Sequence, residues 1–184
     1  MLKREIRILG ISAPTTVPRK SQSIPTVGVV YRGNLWLDGV FTCLLRPDDR
    51  DYLSTLARAI VQSKQYSQIR AAILSREQLI PGTRADITAL AHRIKLPALA
   101  IAERTHARSA RRREHKRSSK AARYMIKIQG KPVWVWASGL TQDRAREIFS
   151  LGCAEKHNVP EAVRVADLIA RQIAGRAFFW QRAK

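Results

Sequence analysis

The sequence predicts an α/β domain in which a mixed β-sheet is flanked by helices. Short apolar runs of strand length open the chain before any helical pattern begins, and strands and helices then alternate. A meander followed by strand–helix–strand crossovers is typical of a mixed sheet with helices on both faces. With 184 residues and 45% hydrophobic content, the chain is long enough for one domain with a substantial core.

The first half predicts three strands, a helix and a fourth strand. The strands lie at residues 6–11, 26–31 and 35–45, and Gly33-Asn34 favours a hairpin between the second and third. Pro47 and the acids after it predict a helix start, and apolar residues then recur at helical spacing up to Val61. Residues 69–74 form the next apolar strand.

The second half predicts a helix, a strand, a hairpin and two further helices. The helix carries its apolar face at residues 87–94, and a strand follows at residues 96–102. Residues 124–129 and 132–137 predict a hairpin around Gly130. Helices begin near Thr141 and near Pro160, and the last ends before a tail at residues 175–184. This is the element order of a ribonuclease H-like fold.

The charge balance predicts a polyanionic partner. The chain has 34 Lys and Arg against 14 Asp and Glu, a formal net charge of +20, which indicates nucleic acid before an anionic membrane. Residues 103–123 form a basic insertion without apolar anchors, which predicts an RNA-binding arm. Its nine cations are Arg104, Arg108, Arg111, Arg112, Arg113, Lys116, Arg117, Lys120 and Arg123.

Further cations and aromatic residues extend this prediction. The additional candidate RNA-binding residues are Arg19, Lys20, Arg176, Arg182 and Lys184. In the tail, Phe178, Phe179 and Trp180 are candidates for contact with RNA or with neighbouring proteins. Trp134 and Trp136 share one face of a strand. The sequence leaves open whether they pack in the core or stack on bases.

Five segments, in order, resemble an archaeal family, domain-of-unknown-function family 99, which is related to endonuclease V. The strongest are the Arg-Gly-x-Leu-Trp-Leu-Asp-Gly run at residues 32–39 and the Pro-Glu-x-x-Arg-Val-Ala-x-Leu-Ile-Ala run at residues 160–170. The other segments are residues 4–11, 69–86 and 139–148. The resemblance implies a ribonuclease H-like fold in which strand-end carboxylates hold divalent metal for phosphodiester hydrolysis.

The chain departs from that family pattern where the metal is expected. Ser12 and Ser75 stand where the resemblance implies carboxylates, and Arg76 places a cation beside them. Asp167 stands where the family commonly has His, whereas Asp38 keeps the Leu-Asp-Gly pattern. A serine hydroxyl is a weak ligand for Mg²⁺, so these residues predict a degenerate former metal site without metal or catalytic residues. Glu77 and Asp86 are the remaining carboxylates near this motif.

These observations together predict a non-catalytic protein that binds structured RNA, specifically ribosomal RNA. We expect it to be cytoplasmic, to lie on the ribosome and to need no cofactor. The alternative is a metal-dependent endonuclease V-like nuclease acting on DNA or RNA with relocated ligands. Membrane-surface binding is disfavoured because the basic segment lacks an apolar face. The spacing of Cys43 and Cys153 favours reduced core thiols over a disulfide or a metal site.

Overall fold

The computed structural model describes residues 5–15, 23–102 and 121–182, with side chains of the final helix described up to residue 174. Three strands open the fold: β1 (Arg7–Ser12), β2 (Ile24–Arg32) and β3 (Trp36–Leu45). They are followed by α1 (Tyr52–Val61), β4 (Ile69–Leu74), α2 (Ile87–Ile94) and β5 (Ala98–Ile101). The second half contains β6 (Ala122–Ile128), β7 (Lys131–Ser138), α3 (Gln142–Gly152) and α4 (Glu161–Arg182).

The strands form one seven-stranded mixed sheet in the order β3-β2-β1-β4-β5-β7-β6. The central strands β1, β4 and β5 are parallel, whereas β2, β3, β7 and β6 pair antiparallel with their neighbours. The predicted α/β class with a mixed sheet flanked by helices is therefore confirmed. The carboxyl ends of β1, β4 and β5 meet at one edge, where open α/β sheets commonly place their sites.

Helices cover both faces of the sheet, because the apolar side chains of β1 point alternately to one face and to the other. Leu9 and Ile11 pack into the core under α1 and α2, whereas Ile8 packs into the opposite core with α3 and the first turn of α4. Gly10 also faces α4, and a Cβ added at Gly10 would lie 2.2 Å from the carbonyl carbon of Ala162. This close approach of helix to strand brings α4 within side-chain reach of the end of β1.

Several element boundaries differ from those predicted, and three of the differences affect a predicted helix start or predicted binding residues. The acids after Pro47 form a turn, and α1 begins only after Asp51. Ala122 and Arg123 belong to β6 and thus lie within the hairpin, whereas the sequence predicts them within the basic insertion. The last helix continues to Arg182, so Phe178, Phe179 and Trp180 lie within α4 and not beyond its end.

No helix in the described part of the chain is long and apolar enough to span a membrane.

Candidate active site

The site begins with two serines that the sheet brings together at its carboxyl edge. Ser12 is the last residue of β1 and is fully buried, and Ser75 directly follows β4. The parallel ladder continues past β4, because the Ser75 amide donates to the Ile11 carbonyl at 2.8 Å. This register places the hydroxyls in contact, and Ser75 Oγ donates to Ser12 Oγ at 2.9 Å.

A carboxylate from the last helix completes the cluster. Ser12 Oγ donates a 3.1 Å hydrogen bond to Asp167 Oδ1. Asp167 sits on the face of α4 that packs on the sheet, between Val163 and Ala170, and its side chain is 21% exposed. The result is a hydrogen-bonded chain from Ser75 through Ser12 to Asp167, built from three elements.

Two arginines give the edge of this cluster a positive charge. Arg171, one helical turn after Asp167, forms an ion pair with its carboxylate. The Arg76 guanidinium donates to the Ala13 carbonyl, immediately after Ser12. Guanidinium groups match the geometry of phosphate oxygens, so the surroundings of the site suit a phosphodiester.

The residues present do not fit the divalent metal centre that the resemblance implies. Mg²⁺ is usually bound through one or two carboxylates, whereas this cluster offers two neutral hydroxyls and one carboxylate already paired with Arg171. Among residues 5–15, 23–102 and 121–174, no group of three His, Cys, Asp or Glu is placed to share a metal ion.

The other carboxylates considered from the sequence lie in different environments. Asp38 accepts from Arg7 at 2.6 Å and from Arg32 at 3.1 Å, at the far side of the sheet. Glu77 is buried and pairs with Arg84 at 3.0 Å. Asp86 caps α2 by accepting from the Ala89 amide at 2.9 Å. Each carboxylate already has a structural partner, which leaves Asp167 as the one that meets Ser12.

Most of the predicted RNA-binding residues lie outside the part of the chain that the structure describes. These are Arg19, Lys20, the eight cations from Arg104 to Lys120, and Lys184. The backbone of α4 includes Arg176 and Arg182, whose side chains are also outside the described part. Arg123 is described, and its guanidinium carbon lies 4.6 Å from the ring centre of Trp134.

Comparison with known proteins identifies relatives along nearly the whole chain. The chain is 31% identical to a UPF0215 protein from Methanothermobacter thermautotrophicus, over 92% of this chain and 88% of the relative. It is 30% identical to a UPF0215 protein from Methanosarcina barkeri, over 94% and 92%. The predicted kinship with an archaeal, endonuclease V-related family is thereby confirmed.

Solved structures share the fold at low sequence identity. A protein of unknown function from Archaeoglobus fulgidus aligns with a TM-score of 0.73 and 19% identity, covering 92% of this chain and 98% of that one. Endonuclease V from Bacillus subtilis aligns with a TM-score of 0.63 and 12% identity, covering 96% and 83%. Endonuclease V from Ciona intestinalis, solved with inosine-containing DNA, aligns with a TM-score of 0.59 and 13% identity, covering 94% and 87%.

A family model described as Endonuclease dU matches residues 4–174. With the endonuclease V neighbours, this match contradicts two predictions: that the chain is a non-enzyme, and that it is a ribosomal RNA-binding protein acting in translation. The net charge and the two serines were the grounds for those predictions, and neither identifies a ribosomal partner. The findings favour the nuclease alternative, and the chain belongs to the endonuclease dU family.

Proposed function

We propose that this protein is an endonuclease that cleaves the backbone of nucleic acid at the carboxyl edge of β1 and β4. The observation that carries the proposal is the hydrogen-bonded chain from Ser75 through Ser12 to Asp167 at that edge. The family match and the endonuclease V neighbours support the same class of reaction. We take nucleic acid that contains deoxyuridine or inosine as the substrate class. The family description specifies dU, and one neighbour was solved with inosine-containing DNA.

The described residues provide a proton acceptor for this reaction. A water molecule hydrogen-bonded to Ser75 would attack phosphorus, and its proton would pass through the Ser75 and Ser12 hydroxyls to Asp167. The phosphorus–oxygen bond to the leaving strand breaks, and the leaving oxygen takes a proton from solvent. A positioned general base of this kind contributes about 10²- to 10⁴-fold to rate. Arg76 and Arg171 lie at the same edge and favour approach of the anionic substrate.

The basic segment at residues 103–123 is proposed to hold the nucleic acid while the site acts on it. Its nine cations would neutralise phosphates and release counterions, which gives affinity that depends little on sequence and strongly on salt. The same role is proposed for Arg19, Lys20, Arg176, Arg182 and Lys184.

The test is a cleavage assay with end-labelled oligonucleotides. Substrates carry one deoxyuridine, one inosine or neither, as single strands and duplexes of DNA and RNA, each with EDTA, Mg²⁺ or Mn²⁺. We expect wild-type protein to cut a substrate with the modified base, and Asp167→Asn to cut it at least about 100-fold more slowly. Asp143→Asn is the matched control, since Asp143 is an exposed acid on α3 with a side chain 88% exposed.

Three results would contradict the proposal or a part of it. Absence of cleavage on every substrate by folded wild-type protein would refute the endonuclease function. Full activity of Asp167→Asn would show that cleavage occurs elsewhere on the chain. Cleavage that persists in EDTA would support proton transfer through the described residues, whereas strict dependence on Mg²⁺ or Mn²⁺ would contradict it.

A further inference from the structure

A second surface, on the opposite face of the sheet from Asp167, combines aromatic and cationic side chains. In the β6–β7 hairpin, Arg123 pairs across the strands with Trp136, and Met125 pairs with Trp134. Paired residues share a face of the sheet, so Arg123, Trp134 and Trp136 lie together. Trp136 packs at the margin of the core under α1 and α2, whereas Ser12 faces α4.

The three side chains form one stacked unit. The guanidinium carbon of Arg123 lies 4.6 Å from the ring centre of Trp134 and 5.7 Å from that of Trp136. Arg123 Nε is buried and has no hydrogen-bond partner among the residues that the structure describes. The indole rings therefore hold this cation by its flat face, which fixes the orientation of all three groups.

This unit remains accessible at the edge of the sheet. Trp134 is 41% exposed, although tryptophan is one of the most costly side chains to leave in water. Its neighbours Pro132 and Lys127, which pair with each other, are also exposed. We refer to Arg123, Trp134, Trp136 and Lys127 as the Trp134 platform.

Charge indicates what the Trp134 platform binds. Among the hairpin residues on this face, two are cations (Arg123 and Lys127) and none is an acid, on a chain with a net charge of +20. An exposed aromatic ring near a guanidinium and an ammonium group matches a nucleotide, because the base can stack while the phosphate is neutralised. An apolar protein partner would gain nothing from these cations.

We propose that the Trp134 platform binds an unpaired base of single-stranded nucleic acid by stacking on Trp134, with Lys127 contacting the adjacent phosphate. The Trp134 platform recognises the base and neither the strand polarity nor the sugar, so DNA and RNA are both candidates. This binding site does not depend on cleavage, and it would persist if the proposed endonuclease function failed.

The first test uses wild-type protein and compares single strands of equal charge. Fluorescence anisotropy at fixed salt would measure binding of labelled dT12, of rT12 with the same bases on ribose, and of a 12-residue abasic strand. Stacking predicts that the abasic strand binds roughly 5- to 100-fold more weakly than dT12. Equal affinity for dT12 and the abasic strand would overturn the proposal. Tighter binding of rT12 than dT12, or the reverse, identifies the preferred sugar.

The second test locates the stacking side chain. Trp134→Ala should weaken dT12 binding roughly 5- to 100-fold and leave abasic-strand binding unchanged, whereas Trp134→Phe should retain most of the affinity. The matched control is Trp36→Ala, because Trp36 is 63% exposed on β3 at the opposite edge of the sheet. Unchanged dT12 affinity in folded Trp134→Ala, or an equal loss in Trp36→Ala, would overturn the assignment. Photocrosslinking of wild-type protein to an iodouracil-containing strand gives a readout that needs no variant, and the absence of any crosslink within residues 123–136 would also overturn it.

Discussion

Ser12 and Asp167 are 155 positions apart in the chain, yet their side chains meet through a 3.1 Å hydrogen bond between Oγ and Oδ1. Ser12 is fully buried at the end of β1, and Asp167 approaches it from α4. The contact joins the middle of the sheet to the last helix and fixes the geometry of the proposed active site. Its strength can be measured apart from any catalytic activity.

Removal of the Ser12 hydroxyl should destabilise the fold measurably. Ser12→Ala leaves Ser75 and Asp167 without their shared partner, which should lower the free energy of unfolding by about 1–3 kcal/mol. A double-mutant cycle with Asp167→Ala should give a coupling energy of at least about 0.5 kcal/mol. Urea denaturation measures both values. Ser54→Ala is the control, because its bond to Asp51 is exposed, and a similar loss there would contradict the assigned role of Ser12.

The two serines of the site could be predicted from the sequence, but their partner could not. Ser12 and Ser75 follow apolar strands, and the carboxyl ends of parallel strands share an edge. Asp167 lies on α4, and the rotation of a helix over a sheet is set by long-range packing. Two signals were present: Asp167 stands where the resembling family commonly has His, and it follows Val163 by four residues, so a charged residue borders the buried stripe of the helix.

Fold class could be predicted more completely than function. Strand length and helical periodicity are local, so residues 69–74 and 87–94 match β4 and α2 in full. The sequence predicts too early an end for α4, because the aromatic residues after Gly175 depart from its apolar periodicity, although they continue the helix. Net charge indicates a polyanionic partner but does not tell whether the protein binds that partner or cleaves it. The prediction of a non-catalytic protein was wrong for this reason.

The packing of α4 on β1 should tolerate no side chain at Gly10. A Cβ at Gly10 would lie 2.2 Å from the Ala162 carbonyl carbon and 2.4 Å from the Val163 nitrogen, both backbone atoms. Gly10→Ala must therefore shift the helix, which should cost about 3 kcal/mol or more. For a chain of this size, thermal unfolding should show a midpoint lower by roughly 6–12 °C.

Gly130→Ala is the matched control for this substitution. Gly130 has a φ of +77°, and a Cβ there would meet no atom within 4 Å, so only backbone strain of about 1 kcal/mol is expected. Equal losses for Gly10→Ala and Gly130→Ala would contradict the close packing of α4 on β1. In the Gly10 variant, displacement of α4 should also separate Asp167 from Ser12 and slow any cleavage.

The buried thiol of Cys153 should make stability depend on pH above 9. Burial, and secondarily the nearby Glu161 carboxylate, raises the pKa of Cys153 from 9.0 to about 12. The unfolded chain loses this proton from about pH 9, while the folded chain keeps it, so the stabilisation is complete below pH 9 and is lost as pH rises toward 12. At pH 10 the loss should be about 1 kcal/mol relative to pH 8.

Urea denaturation at pH 8 and pH 10 would measure this dependence, with Cys153→Ala as the comparison. The variant should lose about 1 kcal/mol less than the wild type between the two pH values. Cys43 contributes to the decline in both proteins, because burial raises its pKa to about 11. An identical pH dependence of wild type and Cys153→Ala would contradict a protonated, buried Cys153.

Asp38 should act in stability and not in cleavage, because its carboxylate is 14% exposed and accepts from both Arg7 and Arg32. Asp38→Ala leaves two partly buried guanidinium groups facing each other, which should lower the free energy of unfolding by about 1–3 kcal/mol. The control Asp143→Ala breaks an exposed pair with Arg146 and should cost less than about 1 kcal/mol. Denaturation curves and cleavage rates distinguish the roles: a folded Asp38→Ala variant that loses cleavage more than 100-fold would show that Asp38, and not only Asp167, serves the reaction.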